Sequence, residues 1–178
     1  MNILNIHGYK GTAHNAAYSA LCGLEENIVS PWIDYDDEPP AAVLDRLVDI
    51  CSDGTTDLLV GTSLGGFFAS VIAARTHIPL LLVNPCLQPQ AVIPLCGYSG
   101  DLSFFEEISK ELYDLDTERV RCIIGGRDEI IGDHRSTKEL LGMERIIIVL
   151  DGLHSGATLD LEKYFPEMIN SLIGFADK

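Results

Sequence analysis

The sequence predicts an α/β fold in which helices cover both faces of one parallel sheet. Apolar runs of strand length recur along the 178 residues, and stretches of helical length separate most of them. Most runs are apolar at every position rather than at alternate ones, which is typical of strands buried on both faces. The alternation of strands with helices along the chain favours a parallel sheet, and the length of the chain fits a single domain over residues 1–178.

Six apolar runs predict the strands, because each has the length of a strand and is shorter than an ordinary helix. In chain order they read NILNI, IVSPWI, DLLVGT, PLLLV, VRCIIG and RIIIVL, at residues 2–6, 28–33, 57–62, 79–83, 120–125 and 145–150. The segments between them are long enough for helices, which are predicted at residues 14–25, 39–52, 64–76 and 134–141, with a final helix at 160–175. Parallel strands need such crossovers.

One segment, residues 85–119, departs from this alternation. It is too long for a simple crossover and contains prolines, glycines and the pair Phe104-Phe105. Long segments of this kind are often functional, so it is interpreted either as a lid or pocket wall over the site, or as an irregular connection that only covers the sheet.

Charge and composition exclude several classes of protein. The net charge is −15, from 12 Lys and Arg against 27 Asp and Glu. A polyanion such as DNA would be repelled, so nucleic-acid binding is not expected, and the acidity itself favours solubility. No run approaches 18 apolar residues and the first residues lack a basic n-region, so we expect neither a membrane span nor a signal peptide. A cytoplasmic protein is predicted.

The cysteines are widely spaced and form no CxxC pair. There are five of them, Cys22, Cys51, Cys86, Cys96 and Cys122. They are interpreted as small hydrophobic side chains in a reducing compartment rather than as a disulfide framework or a zinc site.

Ser63 lies in VGTSLGG, where a predicted strand gives way to a predicted helix. The spacing Gly61-x-Ser63-x-Gly65, with Gly66 following, is that of a nucleophile elbow, a sharp turn that exposes the serine. The glycines are expected because a Cβ would collide with neighbouring backbone, and the helix N-terminus would stabilise a developing oxyanion. The simpler alternative is a serine that caps the helix in a tight turn.

A serine nucleophile needs a base, and five histidines are candidates. His154 follows the last predicted strand, at the sheet edge where Ser63 also lies. His14, His77 and His134 are assigned surface or capping roles by default.

The acid that orients the base is predicted to be Asp128, just past the strand at 120–125. Ser63, Asp128 and His154 then follow in the order Ser, Asp, His, as in an α/β-hydrolase. Asp133 lies too far past the strand, Asp151 shares the loop of the histidine, and Glu129 is expected to point elsewhere.

An oxyanion hole would take one N–H from Leu64, the residue after the nucleophile. The second N–H is expected from Tyr9, in the loop that follows the first strand at His7-Gly8. His7 is therefore assigned a structural role in that loop. A phosphate cradle is not supported, because HGYKG lacks the spacing of the known phosphate-binding motifs.

These motifs resemble the α/β-hydrolase superfamily and, more closely, the small bacterial YqiA-like esterases. The similar segments are IHGYKGT, VGTSLGGFFAS, LLVNPCLQP, GRDEII and LHSGATLDLEKYFPEMINSLIGF. The resemblance implies a compact six-stranded parallel sheet in the order 2-1-3-4-5-6, and a serine esterase or thioesterase that acts without a metal or organic cofactor. Cys86 departs from the pattern, since a smaller residue followed by a basic one is expected there.

The sequence therefore predicts hydrolysis of a small-molecule acyl ester or thioester. Phe104 and Phe105 are candidate pocket residues, whereas Phe67 and Phe68 are assigned to the core. Two alternatives remain at this stage. One is a hydrolase-fold binding protein without turnover. The other is a flavodoxin-like nucleotide binder, in which Ser63 would lie more than about 5 Å from the ring nitrogens of His154, beyond hydrogen-bond reach.

Overall fold

A six-stranded, all-parallel sheet forms the centre of the molecule. The computed structural model describes residues 1–24 and 26–174. The strands are β1 (Asn2–Ile6), β2 (Asn27–Val29), β3 (Leu58–Thr62), β4 (Leu80–Val83), β5 (Val120–Gly125) and β6 (Ile146–Val149). Their order in the sheet is β2-β1-β3-β4-β5-β6, each neighbour parallel. The predicted fold class and strand order are confirmed.

Helices cover both faces of this sheet. They are α1 (Ala16–Cys22), α2 (Pro40–Cys51), α3 (Leu64–Thr76), α4 (Pro89–Val92), α5 (Ser103–Ile108), α6 (Arg135–Leu141) and α7 (Leu161–Ile173). One hydrophobic core, on the face with α1 and α7, includes Leu21 and Phe165. The other core, on the face with α2 and α3, includes Leu47 and Phe67. The side chains of β4 point alternately to the two faces of the sheet, and all of them are fully buried, so neither face is exposed to solvent at this strand.

Helix α3 passes through the middle of its core and positions the nucleophile. Its residues from Leu64 to Ala74 are all buried, and Phe67 and Phe68 have no exposed surface, as predicted. A helix that is apolar on every side is typical of such burial. Because α3 is buried on every side, its first turn holds the preceding residue, Ser63, in a fixed position.

The largest difference from the predicted elements is in the second strand. Residues 28–33 were predicted to be extended, but only Asn27–Val29 pair with β1. Pro31 has no N–H to continue the ladder, and the Ser30 hydroxyl instead donates to the Ala13 carbonyl at 2.6 Å. The strands at 2–6 and 120–125 and the helix at 64–76 have the predicted bounds, and the other elements differ by one to three residues at their ends. Residue 25 of the first predicted helix and residue 175 of the last lie outside the described residues.

The segment 85–119 contains α4, α5 and three short 3-10 turns at Ile93–Cys96, Ser109–Asp114 and Thr117–Arg119. It packs on α3 through buried apolar side chains, and Glu111 pairs with Arg75 of α3 at 2.6 Å. Phe105 is only 1% exposed and packs on Phe67 and Phe68. These contacts favour the plainer interpretation, a connection that covers one face of the sheet.

Three of the five cysteines lie in the core. Cys51, Cys86 and Cys122 are buried free thiols. Cys22 is exposed, so the prediction that it is a small core side chain is wrong.

Within residues 1–24 and 26–174, no helix combines the length and the apolar character needed to cross a bilayer.

Candidate active site

Ser63 forms the turn between β3 and α3. Its φ is 52° and its ψ is −120°, a strained region for a non-glycine residue. Three backbone hydrogen bonds hold the strain: the Ser63 N–H donates to the Val83 carbonyl at 3.0 Å, and the Ser63 carbonyl accepts from Gly66 at 2.9 Å and from Cys86 at 3.0 Å. The side chain is therefore fixed at the carboxyl edge of the sheet, as the nucleophile-elbow motif predicts.

The glycines around Ser63 are required by close backbone contacts. A Cβ on Gly61 would lie 2.6 Å from Gly66 Cα, and one on Gly65 would lie 2.2 Å from the carbonyl oxygen of Ile6. A Cβ on Gly66 would lie 2.9 Å from Pro85 Cβ. The expected collisions are confirmed, since no side chain fits where the turn packs against its neighbours.

Ser63, His154 and Asp128 form a continuous chain of hydrogen bonds. His154 Nε2 lies 3.0 Å from Ser63 Oγ, and His154 Nδ1 lies 2.9 Å from Asp128 Oδ2 and 3.1 Å from Oδ1. Asp128 follows β5 and His154 follows β6, so parallel strands bring both to the edge where Ser63 lies. The 3.0 Å separation contradicts the expectation of the nucleotide-binder alternative, in which serine and histidine are apart.

The Asp128 carboxylate is buried and accepts hydrogen bonds on both oxygens. Oδ1 accepts from the N–H groups of Ile130 at 2.9 Å and Ile131 at 2.8 Å. Burial alone would raise the pKa of Asp128, but hydrogen bonds from His134, His154 and Ile131 hold that pKa well below its usual range. The group is therefore a carboxylate at neutral pH, able to orient an imidazole.

His134 is buried, although its default assignment predicted a surface or capping role. Its ring is 1% exposed and its Nε2 lies 2.9 Å from Asp128 Oδ2. The residue precedes α6 in a left-handed conformation, with φ at 53°, and its side chain makes no capping hydrogen bond. That backbone turn directs the ring inward, and no local pattern in GDHRSTKEL marks it.

Asn84 joins the loops that carry the acid and the base. It follows β4, is fully buried and has a φ of 43°. Its amide nitrogen donates to the carbonyls of Leu153 at 2.9 Å and His154 at 2.8 Å, and its Oδ1 accepts from Gly125 N–H at 2.7 Å. Sequence reasoning missed this role, although an asparagine directly after a buried strand was a usable signal.

The other carboxylates near Asp128 have different roles. Glu129, expected to point elsewhere, accepts from the His154 N–H at 3.0 Å, and this hydrogen bond lowers the pKa of Glu129. Asp133 accepts from the N–H of Arg135 at the start of α6. Asp151 is almost wholly exposed and lies 3.9 Å from Arg127. Neither Asp133 nor Asp151 bonds to an imidazole among the described contacts.

The loop after β1 lies directly against the nucleophile. A Cβ on Gly8 would be 2.8 Å from Ser63 Cβ, so only glycine allows this approach. His7 Nδ1 donates to the Gly8 carbonyl at 2.9 Å and Nε2 accepts from the Ile33 N–H at 3.0 Å, while burial lowers the pKa of His7. The neutral ring therefore braces the loop that precedes Tyr9, in keeping with its structural assignment.

Leu64 and Tyr9 directly follow Ser63 and Gly8, the two residues of this close approach. Leu64 is the first residue of α3, where an N–H has no acceptor within the helix. The Tyr9 hydroxyl donates a 2.7 Å hydrogen bond to Asp36. Burial and that hydrogen bond raise the pKa of Tyr9 to about 12, so its hydroxyl is neutral.

The predicted pocket residues are only partly placed as expected. Phe105 is buried in the core, and its assignment to a substrate pocket stays a prediction. Phe104 is partly buried and stacks on Phe68 with ring centroids 6.4 Å apart. Of the remaining histidines, His14 stacks on Tyr18 and His77 ends α3 at the opposite edge of the sheet.

Comparison with known proteins places the chain in a family. The model of the family described as Uncharacterised protein family (UPF0227) matches residues 2–172. The chain belongs to this family. Among curated proteins, no sequence matches the chain.

Solved structures similar to this UPF0227 chain have the α/β-hydrolase fold. An extracellular alpha/beta-hydrolase from a Paenibacillus species has a TM-score of 0.65 at 14% identity, covering 95% of this chain and 97% of its own. A monoacylglycerol lipase from Paleococcus ferrophilus has a TM-score of 0.65 at 13% identity, covering 97% and 94%. Est1E from Butyrivibrio proteoclasticus has a TM-score of 0.64 at 17% identity, covering 95% and 88%. Identities this low establish the fold alone.

Substitution of Gly65 by alanine is expected to destabilise this UPF0227 chain by about 3 kcal/mol, because the new Cβ overlaps backbone oxygen that cannot move without shifting β1. The free energy of unfolding in urea measures the loss. Gly23→Ala is the matched control, since a Cβ there meets its nearest neighbour at an ordinary 3.4 Å. Equal stability of the two variants would contradict the packing described for the elbow.

Substitution of Asn84 by alanine is expected to lower the free energy of unfolding by about 2–3 kcal/mol, because it leaves the buried Gly125 N–H without its acceptor and removes a donor from the carbonyls of Leu153 and His154. Thermal and urea unfolding measure this effect. Asn27→Ala, which removes only an exposed side-chain hydrogen bond to Asn2, is expected to change stability far less. A similar loss in both variants would contradict the linking role of Asn84.

Proposed function

We propose that the protein is a serine hydrolase of carboxylic esters. The observation that carries the proposal is the chain of hydrogen bonds from Ser63 Oγ through His154 to the buried Asp128, at a strained turn that presents the serine. Nucleophile, base and orienting acid are then within the distances that this chemistry requires. The hydrolase fold supports the proposal without proving activity.

The reaction proceeds through an acyl-enzyme. His154 Nε2 accepts the Ser63 hydroxyl proton while Ser63 Oγ bonds to the ester carbonyl carbon, and Asp128 stabilises the imidazolium through Nδ1–H. The imidazolium then gives its proton to the leaving alkoxide as the ester C–O bond breaks. Water then gives a proton to His154 as its oxygen bonds to the acyl carbon. The bond between that carbon and Ser63 Oγ breaks as the imidazolium returns the proton to Ser63, and the acyl group leaves as the acid.

The developing oxyanion is stabilised by backbone N–H groups. Leu64 supplies one from the first turn of α3, and Tyr9 supplies the second from the loop that packs against Ser63 through Gly8. Each such donor is worth about 3–4 kcal/mol of transition-state stabilisation. The two sides of the site are already fixed in position by the glycine contacts, so little reorganisation is needed.

The charges near the site favour esters over coenzyme A thioesters. Lys10 Nζ donates to the Cys96 carbonyl at 2.8 Å, and Arg127 is largely exposed and faces Asp151. Lys10 and Arg127 adjoin Tyr9 and Asp128 in the sequence and are the cations considered for a phosphate group. Because one is engaged and the other is offset by a carboxylate, a strongly anionic substrate has little charge to bind.

Hydrolysis of p-nitrophenyl acetate, butyrate and octanoate tests the proposal. The wild type is expected to release p-nitrophenol with saturation kinetics, and the preferred chain length reports the room beside Ser63. Ser63→Ala is expected to be inactive, whereas Ser52→Ala, at the end of α2, is expected to match the wild type. Absence of turnover in folded wild type with every ester would favour the alternative of a hydrolase-fold binding protein.

A further inference from the structure

His134 makes a hydrogen bond to the predicted acid that the proposed reaction does not use. Its Nε2 lies 2.9 Å from Asp128 Oδ2, the same oxygen that His154 Nδ1 approaches at 2.9 Å. Both histidine rings therefore meet on one carboxylate oxygen. His134 is 1% exposed, and the Asp128 side chain is fully covered in this contact, so water does not compete for the position.

The hydrogen bonds define the protonation of the His134 ring. Asp128 is a carboxylate and accepts only, so the proton between the groups is on His134 Nε2. His134 Nδ1 is buried and has no hydrogen-bond partner among the described residues. A proton there would be a buried donor without an acceptor, which is costly. His134 Nε2–H therefore donates a hydrogen bond to Asp128 Oδ2.

This donor completes the coordination of the Asp128 carboxylate. A carboxylate offers about four lone-pair positions. Oδ1 accepts from the Ile130 and Ile131 N–H groups, and Oδ2 accepts from His134, which leaves the remaining position on Oδ2 directed to His154. With three positions occupied by fixed donors, the carboxylate cannot rotate about its Cβ–Cγ bond without breaking a buried hydrogen bond.

The His134 ring lies beside a small cavity, and few of the described groups in its wall can carry charge. The ring borders a cavity of about 280 Å³ whose other walls include Cys86, Ile131 and Thr137. Burial raises the pKa of the Cys86 thiol to about 12, so no ion forms there. The charged residues of the cavity wall are Asp133, Arg135 and Glu139, and the Arg135 guanidinium pairs with Glu139 at 2.8 Å.

We infer that His134 is a positioning residue that fixes the Asp128 carboxylate for His154 by hydrogen bonding rather than by charge. The inference rests on the proposed function. It distinguishes His134 from the three reacting residues, because its ring bonds to Asp128 and none of the described hydrogen bonds joins it to Ser63. Its removal is expected to affect the transition state more than substrate binding, since only the imidazolium of the transition state depends on the carboxylate orientation.

Three substitutions separate the donor from the shape of the ring. His134→Phe keeps a planar ring without a donor, and His134→Leu removes both. His134→Gln restores a neutral N–H donor that cannot carry charge. The Phe and Leu variants are expected to show a kcat about 10- to 100-fold below the wild type with little change in KM, as for misoriented catalytic groups. The Gln variant is expected to recover most of the kcat.

A spectroscopic measurement tests the positioning without relying on turnover. The His154 Nδ1–H held by Asp128 is expected to give a far-downfield proton NMR resonance in the wild type. That resonance should move or broaden in the Phe and Leu variants and return in the Gln variant. Thermal unfolding of each variant establishes that it is folded under the assay conditions.

Two results would overturn the inference: an unshifted His154 resonance in folded His134→Phe, or a Gln variant no different from Phe in resonance and kcat. Failure of the proposed function is a separate outcome, because it appears as absent ester turnover in the wild type itself. The resonance still reports whether His134 fixes Asp128 in that case. If His134→Phe or His134→Leu does not fold, the Gln variant decides, and loss of its resonance contradicts the donor role.

Discussion

The His154→Ala variant is expected to hydrolyse p-nitrophenyl esters with a kcat about 10⁶-fold below that of the wild type. Its imidazole is the only described group within hydrogen-bond distance of Ser63 Oγ that can take the hydroxyl proton. Removal of the base leaves a serine hydroxyl that is a poor nucleophile at neutral pH. Stopped-flow and steady-state release of p-nitrophenol measure the change.

Two further variants show whether Ser63 and His154 act as one unit. The double variant Ser63→Ala/His154→Ala is expected to be about as active as either single variant, because residues that act together are not additive. His77→Asn is the matched control, since asparagine tolerates the left-handed conformation of His77 at the far end of α3. Additive losses in the double variant would contradict a shared step.

The second large effect is expected for Asp128→Asn, with a kcat about 10⁴-fold below the wild type. An amide keeps the shape but presents N–H groups where the carboxylate accepted from His154 and His134. His154 is then driven to the wrong tautomer, with its proton on Nε2 facing Ser63 and no lone pair for the serine proton. Rates with a fixed ester measure the effect. Asp133→Asn, which changes a carboxylate with no described hydrogen bond to His154, is expected to remain active.

The stability that the Asp128 carboxylate contributes to the wild type is expected to depend on pH. The folded pKa of Asp128 is below that of a free aspartate, about 3.9, so the ionised group stabilises the fold fully above that pH. This contribution is lost progressively as the pH falls toward the folded pKa. The difference in free energy of unfolding between wild type and Asp128→Asn is therefore expected to shrink from pH 6 toward pH 3. A difference that grew on acidification would contradict the assignment.

Much of the fold could be predicted because its strands are buried on both faces. A continuous apolar run such as PLLLV is typical of a strand that is buried on both faces, so the strand positions follow from the sequence itself. The elbow was predictable for a related reason: the glycines 61, 65 and 66 are forced by backbone contacts and appear in the sequence as a spacing. The strand order came from family resemblance.

The contacts that tune the site could not be predicted in this way. His134 reaches Asp128 because a left-handed residue precedes α6, and that conformation has no glycine or other local signal. Glu129 and Asn84 bond to the loop of His154 from the segments after β5 and β4, which are distant from it along the chain. Such contacts depend on how the loops pack at the sheet edge, which periodicity and spacing do not encode.

Labelling by a fluorophosphonate probe tests the central claim most directly, since the probe reacts with an activated serine and requires no knowledge of the substrate. The wild type is expected to gain one adduct, and mass spectrometry of the digested protein is expected to locate it on Ser63. His154→Ala is expected to label far more slowly, Ser63→Ala not at all, and Ser52→Ala like the wild type. Folded wild-type protein that stays unlabelled, or that carries the adduct on a serine other than Ser63, would contradict the account.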